Sequence, residues 1–441
     1  MKKVLVILFA LGLVFAFSAP AMATDIEVSG SYYARGWYDA NSSLNEQATS
    51  NALYQQRLRI YATFKVAPGL KLMTKMDALE LAWGANVPAS QNSATGPLGT
   101  TVGYTNEGTS WAVETSKLQF ATKVGLFQVG IWDTNTWGCD FGNNSWSTGS
   151  IQWIAPVGKL LLIAKLEKNV ERDTKAINGD AYSDLDSDNW LVAAVYRNAG
   201  LEAGLLFKYI RSAVSRDLIP GVDGYLVTFG LVTPYFKLKS GNLYAEGQFY
   251  YGEGELEGET GVFVGDTDLE GLSAYLMGKV KLDAFTVGAL AAYAQGDDPN
   301  SDETEGFALN GGWDWNPCLI LWNDDFNYKA DGYLGHVNGA ATDGMMRNAY
   351  IYQVFMEMAP TDCLAVKASF SYAKADEKPV GFEDDKYGTE FDISASYKIY
   401  DNLDYMVGFG YLWAGDYYKG TNSKNVIDDT YLLVNKLTLS F

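Results

Sequence analysis

The side chains best placed to do chemistry in this 441-residue chain are cations at even spacings. Arg57, Arg59 and Lys65 share one parity, and Lys71, Lys75, Lys117 and Lys123 follow nearby with the same parity. On extended backbone, residues two apart point to the same side, so each group would form one rung of a basic ladder. Fixed positive charge makes and breaks no bonds. It attracts and guides anions, most strongly along a low-dielectric wall that focuses the field. The competing reading pairs these cations with carboxylates such as Asp77 or with an inserted acidic loop, which would cancel that field.

Groups suited to covalent or metal chemistry are scarce. His336 is the only histidine, so a nucleophile would have one available base, and no nucleophile motif is present. No enzyme is expected. Cys139, Cys318 and Cys363 are too few for a disulfide framework and lack metal-site spacing, and no C-x-x-C-H haem motif occurs. Asp184, Asp186 and Asp188 resemble the opening of a calcium loop, but Asn189 stands where glycine belongs and Val195 where a bidentate Glu belongs. The glycine-rich run 252–258 is loaded with Glu and would repel phosphate, so it is no nucleotide site.

Acidic residues gather in stretches that read as loops: Glu253, Glu255, Glu257 and Glu259, then Asp297, Asp298, Asp302, Glu303 and Glu305, extended by Asp314, Asp324, Asp325 and Asp331. A solvated face is their ordinary meaning; a loop-bound divalent cation bridging lipopolysaccharide is the alternative. No other cofactor or metal is expected. With 33 basic and 53 acidic residues the formal charge is -20, so no nucleic-acid partner is expected.

The elements that must carry the ladder are strands. Lys2 and Lys3, an apolar run over 4–17, Pro20 and the small-x-small Ala21-Met22-Ala23 make a secretory signal peptide, 1–23, cleaved ahead of Thr24. A membrane-spanning helix would need about 20 apolar residues, and the remaining chain holds no such run. It shows period-two alternation instead. Over 54–66, Tyr54, Leu58, Ile60, Ala62, Phe64 and Val66 oppose Gln55, Arg57, Arg59, Tyr61, Thr63 and Lys65. The segments 201–209, 391–399 and 403–413 repeat the pattern. Transmembrane barrel strands alternate lipid-facing and lumen-facing residues in this way.

Tight turns fall at Pro68-Gly69, Gly125, Pro156 to Gly158, Asn198 to Gly200, Ser240 to Asn242, Asp283, Pro360 to Asp362 and Asp401-Asn402. Longer polar stretches lie between them at 39–50, 85–112, 169–188, 253–268, 297–345 and 415–428. Eight turns join sixteen strands; one strand before the first and one after the last make eighteen, with sixteen as the lower bound. The fold class expected is all-β: one closed antiparallel transmembrane β-barrel over 24–441, with short periplasmic turns and long extracellular loops. Trp190 and Tyr196 fit an aromatic girdle at its two rims.

The chain ends at Phe441, with Tyr431, Leu433, Leu437 and Leu439 on its face and Lys436, Thr438 and Ser440 opposite; Asn435 interrupts the apolar side. This resembles the terminal strand of Gram-negative outer-membrane porins, whose last Phe serves as an assembly signal. Length and strand count resemble the eighteen-stranded porins, maltoporin-like or carboxylate-specific. The resemblance implies a passive channel for small hydrophilic solutes or ions in the cell outer membrane. It also implies outer-membrane lipid, lipopolysaccharide and the barrel-assembly machinery as partners, with a homo-oligomer such as a trimer. A structural sheath in an electron-transfer conduit is the alternative.

About eighteen strands enclose an aqueous lumen, and an inserted loop can narrow it. The stretch 297–345 carries Trp313, Asp314, Trp315, Leu319, Ile320, Leu321, Trp322, Asp324 and Asp325. So apolar a cluster on a polar loop must pack against something: the lumen wall, as a constriction or plug, or else neighbouring loops or a second subunit. In many porins the third loop does the constricting; here that loop, roughly 133–148, is short, which weakens direct analogy. Tyr33, Trp37, Tyr61, Tyr244 and Tyr250 are candidates for an inward aromatic sugar path. A Cys139–Cys318 bridge is open, whereas Cys363, in a turn at the opposite rim, lies beyond the reach of a disulfide.

Overall fold

The computed structural model describes residues 25–45, 50–83, 111–171, 185–216, 224–260, 265–307, 311–325, 334–337, 340–342 and 344–441. The expected signal peptide and Asp184 lie outside them, as does the side chain of His336. In chain order the strands are β1 (Asp25–Asp39), β2 (Asn51–Ala67), β3 (Leu70–Ala82), β4 (Trp111–Thr122), β5 (Gly125–Thr134), β6 (Trp146–Val157) and β7 (Leu160–Val170). Then come β8 (Ser187–Arg197), β9 (Leu201–Ser212), β10 (Gly224–Ser240), β11 (Leu243–Thr260), β12 (Asp266–Leu282) and β13 (Phe285–Ala294). A small hairpin, β14 (Gly335–Val337) and β15 (Ala340–Thr342), precedes β16 (Ala349–Thr361), β17 (Leu364–Lys374), β18 (Lys386–Tyr400), β19 (Leu403–Ala414) and β20 (Thr430–Ser440).

All of these except the hairpin belong to one 18-stranded sheet of antiparallel neighbours. The sheet closes because β1 pairs with β2 on one side (Asp25↔Lys65 to Asp39↔Asn51) and with β20 on the other (Ser31↔Ser440 to Asp39↔Leu432). Closure leaves no strand edge unpaired, which a lipid environment demands. Phe441 completes the seam: it exchanges backbone hydrogen bonds with Gly30 at 2.8 and 3.0 Å. Its ring lies so close over Gly30 that a Cβ there would come within 2.6 Å of Phe441 Cζ.

The eight turns foreseen from the sequence all lie at one end of the barrel, and the β12–β13 turn sets Asp283 at φ +41, a left-handed position that Asp tolerates better than most residues. Nine connections lie at the other end. One acidic run is corrected here. Glu253, Glu255 and Glu257 are not in a loop but on β11, and only 261–265 separate it from β12. The reason is the glycines between them. Phe229 of β10 lies across Gly252 and Gly254, where a Cβ would meet it at 2.4 and 2.7 Å. Side-chain-free positions keep the ladder paired, and the carboxylates turn to the other face.

The two faces of the sheet differ as alternation requires. Val28, Val113, Ile131, Ile151, Val192, Leu205, Leu276 and Val354 are each more than half exposed on the outer face. A continuous apolar band of this kind would be an aggregation surface in water. Around lipid it is the barrel's solvent-matched coat. Near the loop rim the band meets exposed aromatics: Tyr54 stacked on Trp83 at 5.3 Å, Trp146 against Trp313 at 6.1 Å, Trp190 beside Tyr209 at 5.8 Å and Tyr411 beside Trp413 at 4.8 Å. The buried apolar core lies inside the barrel at the loop end, where Phe141, Trp315, Ile320, Leu321 and Trp322 pack with the strand residues Phe229, Tyr275, Ile351, Tyr387, Leu412 and Leu432.

Candidate functional site

Arg57, Arg59 and Lys65 alternate on β2 as expected, and Lys71 and Lys75 do so on β3, with Lys65 directly opposite Lys71. Their charges are largely answered by acids. Arg59 makes a two-pronged hydrogen bond to Asp77, Nε to Oδ1 at 2.7 Å and Nη2 to Oδ2 at 2.5 Å. Arg57 lies 4.0 Å from the same carboxylate and 3.6 Å from Glu80. Lys75 reaches across β4 to Asp133 at 2.6 Å. Lys65, at the turn rim, is held by Glu27 and by Asp25 at 3.5 Å. Lys123 is not on the wall; it lies exposed in the β4–β5 turn, because the hairpin tightens over Thr122 to Gly125.

A bulge explains why two acids surround Arg57. Between Gln56 and Leu58 the pairing with β3 shifts register, and Leu79 takes φ +52 while its side chain stays exposed. The inserted residue resets the alternation, so Asp77 and Glu80, of opposite parity, both reach Arg57. No period-two reading could have found that. Lys117 stands apart from this pairing. Among the described residues it makes no ion pair; its Nζ lies 5.3 Å from the Trp132 ring centre, and Lys165 of β7 approaches the same ring at 5.5 Å.

Further lumenal cations lie outside the expected ladder. Arg35 on β1, Lys165 on β7, Lys208 on β9 and Lys436 on β20 continue the belt. Lys165 and Lys208 flank the buried Glu167 at 2.6 and 3.7 Å, and Asn189 donates to it at 2.9 Å. Parity gave a signal for Lys165 with Glu167 and for Lys208, but not which neighbour each would meet. The would-be calcium stretch is also absorbed by pairing: Asp186 and Asp188 share Lys168.

Among the described residues, the third and seventh connections reach across the inner wall. The seventh connection, 295–348, carries its aromatic segment down the inner wall of β16–β20. Glu390 accepts the backbone N–H of Ile320 at 2.7 Å and of Leu321 at 2.9 Å, and Gln353 donates to Pro317 O at 2.8 Å. Trp322, at φ +52, packs edge-on to Tyr387 at 5.5 Å, a strained backbone held by burial. Asp324 N–H donates to Asn316 Oδ1 at 2.7 Å. Asp325 sits between Arg35 and Lys436 at 3.8 and 3.7 Å, tying the loop to β1 and β20.

The third connection, 135–145, is short, as expected, yet it docks inside the barrel. It crosses to the opposite wall: Trp137 Nε1 donates to Thr233 O of β10 at 3.0 Å, Cys139 N–H to Gln248 of β11 at 2.7 Å, and Tyr250 OH to Phe141 O at 2.9 Å. Burial there pushes the Cys139 thiol up to about 12. The loop needs few residues because it meets the seventh loop midway. Asp314 accepts from Ser145 N–H at 3.0 Å and Ser145 Oγ at 2.5 Å, Trp313 N–H donates to Asn144 Oδ1 at 2.9 Å, and Phe141 packs edge-on to Trp315 at 5.0 Å. Partial burial raises the Asp314 carboxyl above the ordinary range, against the pull of the Ser145 hydrogen bonds.

Several expectations fall with this packing. Cys139 and Cys318 are free thiols in separate pockets, one against Gly247 O at 3.7 Å and the other against Ser371 Oγ at 3.3 Å, so no bridge joins them; Cys363 is free in its turn. Three of the five aromatics offered for a sugar path have other commitments. Tyr250 is sealed beneath the third loop, Tyr244 is bonded to Glu246 at 2.7 Å, and Tyr33 lies under the cations Arg35, Arg57 and Lys436.

Apart from Trp313 against Trp146 at the start of β6, the contacts of the two inserted loops fall on β9–β12, β16–β20 and β1. Among the described residues, neither inserted loop bonds to the inner faces of β2–β7, which carry Arg57, Arg59, Lys75, Lys117, Trp132 and Lys165. Gln119, Gln128 and Gln152 run across β4–β6 on that side, linked at 2.8 and 3.1 Å. Such a surface binds no substrate covalently; it can hold and pass a small polar solute.

The molecule is similar in fold to several solved outer-membrane proteins. OccK2 (OpdF) of Pseudomonas aeruginosa, solved in complex with glucuronate, matches at 12% identity over 95% of this chain and 97% of its own, with a TM-score of 0.53. A BenF-like porin from Pseudomonas fluorescens Pf-5 matches at 12% identity over 94% and 99%, TM-score 0.53, and OccK9 (OpdG) of Pseudomonas aeruginosa at 14% over 94% and 99%, TM-score 0.51. No family model and no curated protein matches the sequence. What the chain shares with these porins is the closed barrel of eighteen strands.

Proposed function

We propose that this chain is an outer-membrane channel for passive diffusion of small hydrophilic solutes, and that its passage runs along β2–β7 with anions favoured. The supporting observation is the division of the lumen. Third and seventh loops meet through Asp314 and Ser145, while Lys117, on the inner face of β4, makes no ion pair among the described residues. A cation with no carboxylate to neutralise it is the one whose field reaches a passing solute. Long loops would face the exterior and short turns the periplasm. Phe441 would serve as the assembly signal read by the barrel-assembly machinery, with lipopolysaccharide about the outer rim. A homo-oligomer remains part of the proposal.

The extent of apolar packing inside the lumen favours one second reading, a plugged structural barrel. Planar-bilayer recording of the purified chain separates the two. The channel reading expects discrete conductance steps, a reversal potential of anion sign in a salt gradient, and loss of that preference in Lys117→Ala. Glucuronate, the ligand of one structural neighbour, is a suitable probe of block. Silence in the bilayer would remove the channel and leave the plugged barrel. Conductance with unchanged selectivity in Lys117→Ala would remove the basic sector.

A further inference from the structure

We propose that Cys318, Glu390 and Asp392 form a site for a thiophilic divalent cation, Zn2+ above all, that fastens the seventh loop to the barrel wall. This proposal stands whether or not the barrel conducts. Glu390 and Asp392 are two apart on β18 and so share its inner face; the seventh loop lowers Cys318 onto them. The thiol sulfur and one oxygen of each carboxylate all lie within 4.8 Å of one another, and all three residues are buried, at 3%, 0% and 5% exposure.

Three features of the cluster point to a cation. Neither carboxylate makes an ion pair among the described residues, although two like charges buried side by side are costly. Asp392 Oδ1 is buried with no hydrogen-bond partner, a state that a buried acceptor rarely holds. Glu390 spends one lone pair of each oxygen on Ile320 and Leu321 N–H and keeps the others. The donor set then selects the metal. Ca2+ and Mg2+ want oxygen alone, whereas thiolate with carboxylate suits Zn2+. Zinc holds sulfur at about 2.3 Å and carboxylate oxygen at about 2.0–2.2 Å, a contraction within the reach of three side chains already this close. As the zinc–sulfur bond forms, the Cys318 S–H bond, which now donates to Ser371 Oγ at 3.3 Å, breaks and its proton is released to the buffer. Gln353 Nε2, 3.8 Å from the sulfur and 2.9 Å from Ser371 Oγ, would then support the thiolate from outside the ligand set.

The test uses the full chain folded in detergent with Cys139→Ser and Cys363→Ser, so that Cys318 is the sole thiol. Zn2+ is titrated against a chromophoric chelator, and Co2+ is added separately to seek thiolate-to-cobalt charge-transfer absorption. We expect one Zn2+ per barrel, the cobalt band, and affinity at least tenfold weaker in both Cys318→Ser and Asp392→Asn, measured on the folded fraction. Excess Ca2+ should not compete. Absence of stoichiometric Zn2+, or Zn2+ held equally well by both variants, would overturn the site and leave a proton shared between the two carboxylates in its place.

Discussion

Replacing Trp315 by alanine should unlatch the two lumenal loops without disturbing the barrel. The indole is 6% exposed and packs edge-on to Phe141 at 5.0 Å and to Tyr275 at 5.8 Å, while Phe141 stacks on Tyr275 at 5.4 Å. Removing a buried Trp costs roughly 3–5 kcal/mol. The closed ladder of strands does not run through this residue, so the loss falls on local opening of the loops. At 1.4 kcal/mol per factor of ten, the open population should rise by roughly two to three and a half orders of magnitude. The chain carries its own reporter. Cys139 is fully buried beside Phe141, and burial holds its thiol at about 12, so the closed form is shielded both sterically and as a thiol. In a Cys363→Ser Cys318→Ser background, maleimide labelling of Cys139 should be slow in the parent and at least 100-fold faster in Trp315→Ala. Phe141→Ala should act similarly, and the double variant should fall short of additivity by about 0.5–1.5 kcal/mol, the coupling of an aromatic pair. Parent labelling as fast as that of Cys363 in a matched single-cysteine protein, or less than a tenfold change in Trp315→Ala, would refute the docking of the third loop on the seventh.

Other perturbations probe different parts of the molecule. Asp77→Asn removes the charge that answers Arg59 at 2.5 Å and Arg57 at 4.0 Å, so the reversal potential should move further toward anions; movement toward cations would contradict the proposed passage. Gly312→Ala would place a Cβ 1.9 Å from Asn143 O, and overpacking of this kind costs about 1–3 kcal/mol, which should speed Cys139 labelling by roughly five- to 150-fold; an unchanged rate would show that the two loops do not meet there. Gly30→Val sets a side chain against Arg59 O at 2.5 Å and the Phe441 ring at 2.6 Å. The heat-modifiable folded fraction on gels should drop, and a normal fraction would separate the terminal Phe from closure of the seam.

How far the sequence could be read depended on which force set each feature. Strand number and turns were legible because lipid outside and water inside impose a period of two on every strand, as Leu58, Ile60 and Phe64 against Arg57 and Arg59 illustrate. Pairing partners were less legible, since the meeting of Arg57 with Glu80 depends on a bulge at Leu79 that no spacing rule announces. The third loop was misjudged for a related reason. Its shortness weakened the analogy with a constriction loop, but no spacing rule announces that it bonds to β10 and β11 and is met there by Trp315, from a distant segment of the chain.

The failures of alternation are informative in their own right. On β20 the inner face reads Leu432, Val434, Lys436, Thr438 from the loop rim toward the turn rim, and Leu432 and Val434 are buried. On β16 it reads Ala349, Ile351, Gln353, again apolar first and then polar, with Gln353 holding the seventh loop. A water-filled lumen gives no reason for Leu432 or Ile351 to point inward, because each apolar side chain left in water forgoes about 25 cal/mol for every Å² it could bury. Inward apolar residues at the loop rim therefore mark wall that a loop covers; inward cations carry no such message, because Arg35, Lys436 and Lys208 are themselves bonded by the inserted loops. Among the described residues neither inserted loop bonds to Arg57, Lys117 or Lys165, and the proposed passage is drawn along that part of the wall.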